Sequence, residues 1–212
     1  MKTKSNKNVC VIGLGYVGLT LSNIMANKGF KIFGVERNKF ILENLNKKKS
    51  HFYEPGLNKN LKKNLRNKSF SFTNKLPKNK NIGTYIVTVG TPLNEKKKIK
   101  ISDIILACKS IAKNLKDNDI VILRSTVKIG TSRNIVLPIL KKTKKNFHLV
   151  YCPERAIEGS ALKELKNLPQ IIGGFDNKSI KKAKLIFSKV TKKIIVTSNI
   201  ETAEMIKLID NS

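Results

Sequence analysis

The 212-residue chain has no uninterrupted apolar run near the roughly 20 residues that a helix needs to cross a bilayer. Cysteine is scarce as well. The three, Cys10, Cys108 and Cys152, are odd in number, far apart and without C-x-x-C spacing, which indicates neither a disulfide framework nor a zinc site. Cys10 and Cys108 fall on an apolar strand and an apolar helix face, where a thiol serves as a small hydrophobe. Acidic residues are few, 14 against 43 Lys+Arg, for a net charge of +29. Such an excess invites a polyanion partner. It comes almost wholly from lysine, however, and lysine, asparagine and isoleucine together are the mark of AT-rich coding sequence. The lysines are scattered over helices and loops, as at Lys47, Lys62, Lys96 to Lys98, Lys141 and Lys181. No Arg-rich recognition helix or aromatic-studded strand accompanies them. Nucleic acid is therefore not the expected partner, although the surplus favours anionic ligands such as nucleotide phosphates. The start, with Lys2, Lys4 and Lys7 before apolar Val9 to Ile12, imitates a secretion signal. It lacks a small-residue cleavage site, and glycines interrupt its apolar run at regular spacing. It reads as a first strand, and the expectation is a cytoplasmic protein with no membrane segment and no bound metal.

What is present suffices for a core. A composition 40% hydrophobic excludes a wholly disordered chain despite 27% charged residues. The length allows one large domain or two small ones. Short apolar runs over 8–13, 31–36, 69–73, 84–89, 119–123, 147–151, 170–173 and 193–196 read as strands. Helical periodicity fills 16–29, 38–46, 54–66, 102–115, 131–142 and 179–190, with Ser102 as a plausible N-cap. This alternation predicts an α/β fold, a doubly wound, mostly parallel Rossmann-like sheet. Residues 1–198 would form that domain. Residues 199–212 would begin a helix leading elsewhere, with Met205, Leu208 and Ile209 as apolar positions awaiting cover, and a marginally soluble product as the consequence.

Gly13-Leu14-Gly15-Tyr16-Val17-Gly18 fits G-x-G-x-x-G between a strand and a helix. Gly13 permits the tight turn, Gly15 lets backbone approach a pyrophosphate, and Gly18 lets helix and strand pack closely. The helix N-terminus offers unpaired N–H groups to the phosphates. Glu36 closes the second strand, where a carboxylate accepts from both adenosine ribose hydroxyls and repels a 2′-phosphate. The cofactor expected is NAD, and adjacent Arg37 is the one residue that would soften that preference.

Ligands bind beyond the carboxyl ends of the strands in open parallel sheets. Three segments end strands there, 89–92, 124–127 and 152–155, and should converge on the nicotinamide end. Arg155 with Glu154 and Glu158 makes a polar cluster before Gly159, the guanidinium suited to phosphate or sugar oxygens and a carboxylate to general-base work. On the last helix Lys207 and Asn211 are four residues apart and share a face, a pair able to stabilise an oxyanion and position a water. The bland alternative is a solvated face on which Glu204 pairs with Lys207.

The segments 13–18, 51–57, 89–92, 124–127, 151–155 and 203–207, in this order, resemble the UDP-glucose/GDP-mannose dehydrogenase family across essentially the whole chain. The resemblance implies oxidation of the C6 hydroxyl of a nucleotide sugar to a carboxylate with two NAD, for surface polysaccharide synthesis. It implies a covalent route: a cysteine thiolate captures the aldehyde, a second oxidation leaves a thioester, and water hydrolyses it. Tyr16, Val17, Glu36, Thr91 and Thr126 would contact NAD, Thr126 also standing with the catalytic set. Glu154, Arg155 and Ala156 would line the sugar side. Glu158 would assist thioester hydrolysis, and Lys207, with Asn211 beside it, would polarise the reacting oxygen or relay a proton.

Residues 151–155 and 202–212 look most like members acting on UDP-N-acetylhexosamines, especially UDP-N-acetylmannosamine. Glu158 and the 124–127 segment look more like the UDP-glucose or GDP-mannose type, so those substrates stay open. In the family a middle domain supplies the nucleophilic cysteine and the homodimer contact, and a third domain holds the nucleotide of the sugar donor. None of the three cysteines here stands in the nucleophile's place. The expectation is a chain that binds NAD without oxidising a nucleotide sugar alone. A stand-alone dinucleotide-binding module is the other reading.

Overall fold

The structure, a computed structural model, describes residues 6–210 apart from 79, 94 and 96–98. Lys96 to Lys98 and Asn211 therefore lie outside the described residues. β1 (Asn8–Ile12) is apolar after its first residue and buried on both faces. Val9 and Val11 point into one core layer, Cys10 and Ile12 into the other. A strand so covered belongs at the centre of a parallel sheet.

β2 (Lys31–Val35) and β3 (Phe70–Thr73) add on one side of β1. β4 (Thr84–Val87), β5 (Ile120–Leu123), β6 (His148–Tyr151), β7 (Gln170–Gly174) and β8 (Ile194–Val196) add on the other. The order is β3-β2-β1-β4-β5-β6-β7-β8, so strand order reverses between β1 and β4. That reversal opens a crevice at their carboxyl ends.

One face carries α1 (Tyr16–Asn27), α3 (Leu57–Arg66) and α7 (Asn177–Phe187). The other carries α4 (Ser102–Ala112), α5 (Leu137–Lys141) and α8 (Ile200–Asp210). α2 (Lys39–Asn46) follows β2 and is capped by the Asn38 side chain. α4 corrects one expectation. Ser102 is its first residue rather than its cap; Ile101 holds the cap position without a side-chain bond, and Asp103 supplies the negative charge of the first turn. The segment read as one helix over 131–142 is a turn of π-helix, Ser132–Val136, running into α5.

β7 departs from simple alternation. It runs antiparallel to β6, pairing Val150 with Gly174 and Tyr151 with Gly173. An antiparallel neighbour needs no crossover to the far end of the sheet. The connection over 152–169, with the short helix α6 (Ala161–Asn167), consequently stays at the crevice end. β7 also seats α8: a Cβ on Gly173 would stand 2.6 Å from the Ala203 Cβ, a contact only glycine permits. Along α8, Ile200 and Ala203 are buried, Leu208 is half-buried, and Met205 and Ile209 are exposed. Among the described residues no helix is long and apolar enough to cross a membrane, and no cluster of His, Cys, Asp and Glu could hold a metal ion.

Candidate functional site

The turn from β1 into α1 is built by its glycines. Gly13 has φ +92°, and a Cβ there would stand 2.8 Å from the Thr88 carbonyl oxygen. A Cβ on Gly18 would lie 1.9 Å from the Gly13 carbonyl oxygen. Both positions are closed to any side chain. Gly15 differs, since a Cβ there would meet nothing within 4 Å and would point into open space. It is also the N-cap of α1, with no side-chain bond to the first-turn amides. A cradle of free N–H groups facing a space that one methyl would fill suits a pyrophosphate.

Glu36 fixes the turn from the next strand. One carboxylate oxygen accepts from the Leu14 N–H at 2.7 Å, the other from the Arg37 and Asn38 N–H groups at 2.7 and 2.8 Å. The acid thus has a set position, with lone pairs left for ribose hydroxyls. Thr88 closes the turn from β4, its hydroxyl donating to the Gly13 carbonyl at 2.7 Å.

Beneath these groups lies a cavity of about 890 Å³. Gly13, Gly15, Tyr16, Val17, Glu36, Thr91, Thr126, Glu154, Ala156, Glu158 and Lys207 all line it. Gly18 does not; it is buried behind the turn. Arg155 does not either. Its Nε donates to Asp210 at the end of α8, 2.5 Å away, beside a minor cleft.

The strand-end segments are tied together by hydrogen bonds. The Ser125 hydroxyl donates to the Val89 carbonyl at 2.6 Å, the Thr91 hydroxyl to the Thr126 carbonyl at 2.8 Å, and the Tyr151 hydroxyl to the Ser125 carbonyl at 3.1 Å.

Several residues organise the cavity through partners that the sequence does not reveal. Arg124 is buried with Glu154, its Nη2 2.5 Å from that carboxylate. Its Nη1 donates to the Cys152 carbonyl at 3.0 Å and to Gln170 Oε1 at 2.8 Å. Glu154 also accepts from the Arg155 and Ala156 N–H groups, each at 2.8 Å. Burial works to raise the Glu154 carboxyl, but Arg124 and the two amides overcome it and hold the group below the usual carboxylate value. Glu54, also buried, accepts from the Tyr16 hydroxyl at 2.8 Å and from the Gly159 and Leu162 N–H groups at 3.0 and 3.1 Å. It fastens the segment carrying Glu158 to the start of α1.

Glu204 does not serve as a surface partner for Lys207. It is fully buried and accepts from the Gly130 and Ser132 N–H groups at 2.6 and 2.8 Å. These two bonds dock α8 on the turn beyond Thr126 and set Lys207 at the cavity. Burial holds the Lys207 ammonium below the ordinary lysine value, against the attraction of Glu154 and Asp210. The three cysteines are buried, and burial pushes each thiol up to about 12, so none stands ready as a thiolate at neutral pH.

A glycine-lined strand-to-helix turn, an acid anchored at the end of β2 and a crevice at the reversal of strand order define the dinucleotide-binding domain of a dehydrogenase-type fold. More particularly, the chain belongs to the UDP-glucose/GDP-mannose dehydrogenase family, whose NAD binding domain matches residues 7–191. Its cofactor is NAD. A UDP-N-acetyl-D-mannosamine dehydrogenase of Methanocaldococcus jannaschii is 34% identical over 215 aligned positions, covering 100% of this chain and 49% of that protein. One from Campylobacter jejuni is 32% identical, covering 96% of this chain and 52% of that protein. The solved UDP-N-acetyl-mannosamine dehydrogenase of Staphylococcus aureus superposes with a TM-score of 0.90 at 29% identity, over 96% of this chain and 50% of that one. The GDP-mannose dehydrogenase of Pseudomonas aeruginosa gives 0.88 at 27% identity, over 96% and 49%. The chain thus spans about half the length of the curated relatives it matches.

Proposed function

We propose that this chain is the cofactor-binding part of an NAD-dependent nucleotide-sugar 6-dehydrogenase acting on a UDP-N-acetylhexosamine such as UDP-N-acetylmannosamine. The observation that carries this reading is the single cavity joining the glycine turn and Glu36 at one end to Glu154, Glu158 and Lys207 at the other. A dinucleotide laid along it from the Glu36 end reaches the last three side chains with its nicotinamide. Bound NAD supplies the oxidising power for an alcohol.

The chain's own groups divide the remaining work. The α1 amides and Gly15 hold the pyrophosphate, and Glu36 takes the ribose hydroxyls. Val17, with Tyr16 and the tied segments at Thr91 and Thr126, packs along the cofactor and keeps water from it. Lys207, its ammonium destabilised by burial, donates a proton to or takes one from the reacting oxygen. Glu158, exposed at the cavity rim, orients a water for hydrolysis. Ala156 leaves room for the sugar beside Glu154, and Arg155 steadies α8 through Asp210. Residues 1–198 form the cofactor domain in this account. The helix from 199 onward leads toward a middle domain that completes the homodimer and supplies the nucleophilic cysteine.

Calorimetric titration with NAD and spectrophotometric detection of NADH test the reading together. Saturable NAD binding is expected, with no NADH formed from UDP-N-acetylmannosamine by these 212 residues, whose thiols are all buried. NADH formation by this chain alone would overturn the division of labour. Absence of NAD binding by the folded chain would overturn the site.

A further inference from the structure

At the ribose end of the cavity, Glu36 is not the only charged group. Arg37 follows it, and its Nη2 lies 2.7 Å from Asp103 Oδ1. Asp103 sits in the first turn of α4, on a different strand-helix unit from β2. Both residues line the cavity. Each is well exposed, at 62% and 42%, so the pair contributes little to stability. Its consequence lies in what it does to the guanidinium. An arginine beside the ribose acid is the group that accommodates the 2′-phosphate of NADP in this type of fold. A planar fork of donors grips a phosphate in pairs of hydrogen bonds. Here one arm of that fork already serves a carboxylate, whose negative charge opposes an incoming phosphate.

We infer that Asp103 is a specificity-determining residue for the cofactor: by occupying Arg37 it denies a 2′-phosphate its cation, so that rejection of NADP rests on two acids, Glu36 and Asp103. Lys75 also lines this end, but it projects from the loop after β3. Arg37 adjoins the ribose acid directly. The inference rests on the dinucleotide reading of the cavity.

The test compares dissociation constants for NAD and NADP on this chain by calorimetry, at low and at moderate salt. In Asp103→Asn the ratio of the NADP constant to the NAD constant should fall about threefold, the worth of one exposed ion pair released for phosphate. The fall should shrink as salt rises. Adding Arg37→Ala to Asp103→Asn should restore the parental ratio. A ratio unmoved in Asp103→Asn, with NAD still bound, overturns the inference and leaves Glu36 to act alone. A ratio that falls equally with Arg37 removed also overturns it, since the acid then acts by plain repulsion. Loss of NAD binding by the parent chain instead takes down the dinucleotide reading beneath it. Asp103→Ser, which keeps a helix-compatible polar residue in the first turn, serves the same comparison should the amide variant fold poorly.

Discussion

Two glycines three residues apart, Gly15 and Gly18, should fail in opposite ways when given a methyl group. At Gly18 the new Cβ would stand 1.9 Å from the Gly13 carbonyl oxygen and 2.7 Å from the Thr88 hydroxyl. The carbonyl belongs to backbone and cannot rotate away, so α1 and the turn must part. Overpacking of that kind costs about 1–3 kcal/mol. The Thr88 hydroxyl, whose one proton faces the Ile12 and Gly13 carbonyls, would also lose its place, at about 1 kcal/mol. Gly18→Ala should therefore lose roughly 2–4 kcal/mol of stability, a large share of what a domain possesses. Gly15→Ala meets no neighbour, and its stability should change by about 1 kcal/mol or less, the scale of a cap substitution. Its methyl would instead stand between the α1 amides and the pyrophosphate, and NAD affinity should fall tenfold or more. Urea unfolding at matched pH and calorimetric titration read the two effects separately. A Gly18→Ala variant as stable as the parent, or a Gly15→Ala variant that binds NAD equally well, refutes the assignment of roles.

Further outcomes follow from the groups beneath the cavity. Arg124→Met strands the buried Glu154 carboxylate and should cost about 3–5 kcal/mol at neutral pH, most of it recovered when Glu154→Gln is added; failure of the second change to compensate would argue against the pair. The Glu154 carboxyl is held low in the fold, so its share of stability is present above the unfolded value near pH ~4.3 and is lost as pH falls through the folded value. Acid unfolding monitored by circular dichroism should accordingly show a flatter limb in Glu154→Gln than in the parent, and parallel limbs would contradict this. Native Cys10, Cys108 and Cys152 should resist a thiol reagent at neutral pH and react once urea unfolds the chain, whereas fast native labelling of Cys152 would reopen it as a nucleophile.

The central half of this architecture was legible because its local signals agree with its global ones. The β1 run, the three spaced glycines and Glu36 each demand the same turn, and sterics leave little else for Gly13 and Gly18 to do. The outer half was harder. β7 reads as an ordinary apolar strand, and nothing local says that it turns antiparallel, yet that reversal keeps the connection carrying Glu158 at the crevice end. α6 is a seven-residue lysine-bearing helix, too short for its periodicity to stand out. The polar groups that organise the cavity are paired over long separations: Arg124 with Glu154, Glu204 with the amides at 130 and 132, Glu54 with Tyr16. A sequence pattern of period two or nearly four carries no record of such partners. Glu204 shows the cost most plainly, since helix spacing suggested Lys207 as its neighbour while tertiary packing buried it against a different segment.

The account stands on the dinucleotide cradle, and the most direct measurement is a calorimetric titration of the folded chain with NAD, run beside the Gly15→Ala variant. A single saturable site in the parent, weakened in the variant, is the predicted result. A folded parent with no heat of binding up to millimolar NAD, or two proteins with indistinguishable isotherms, would contradict it.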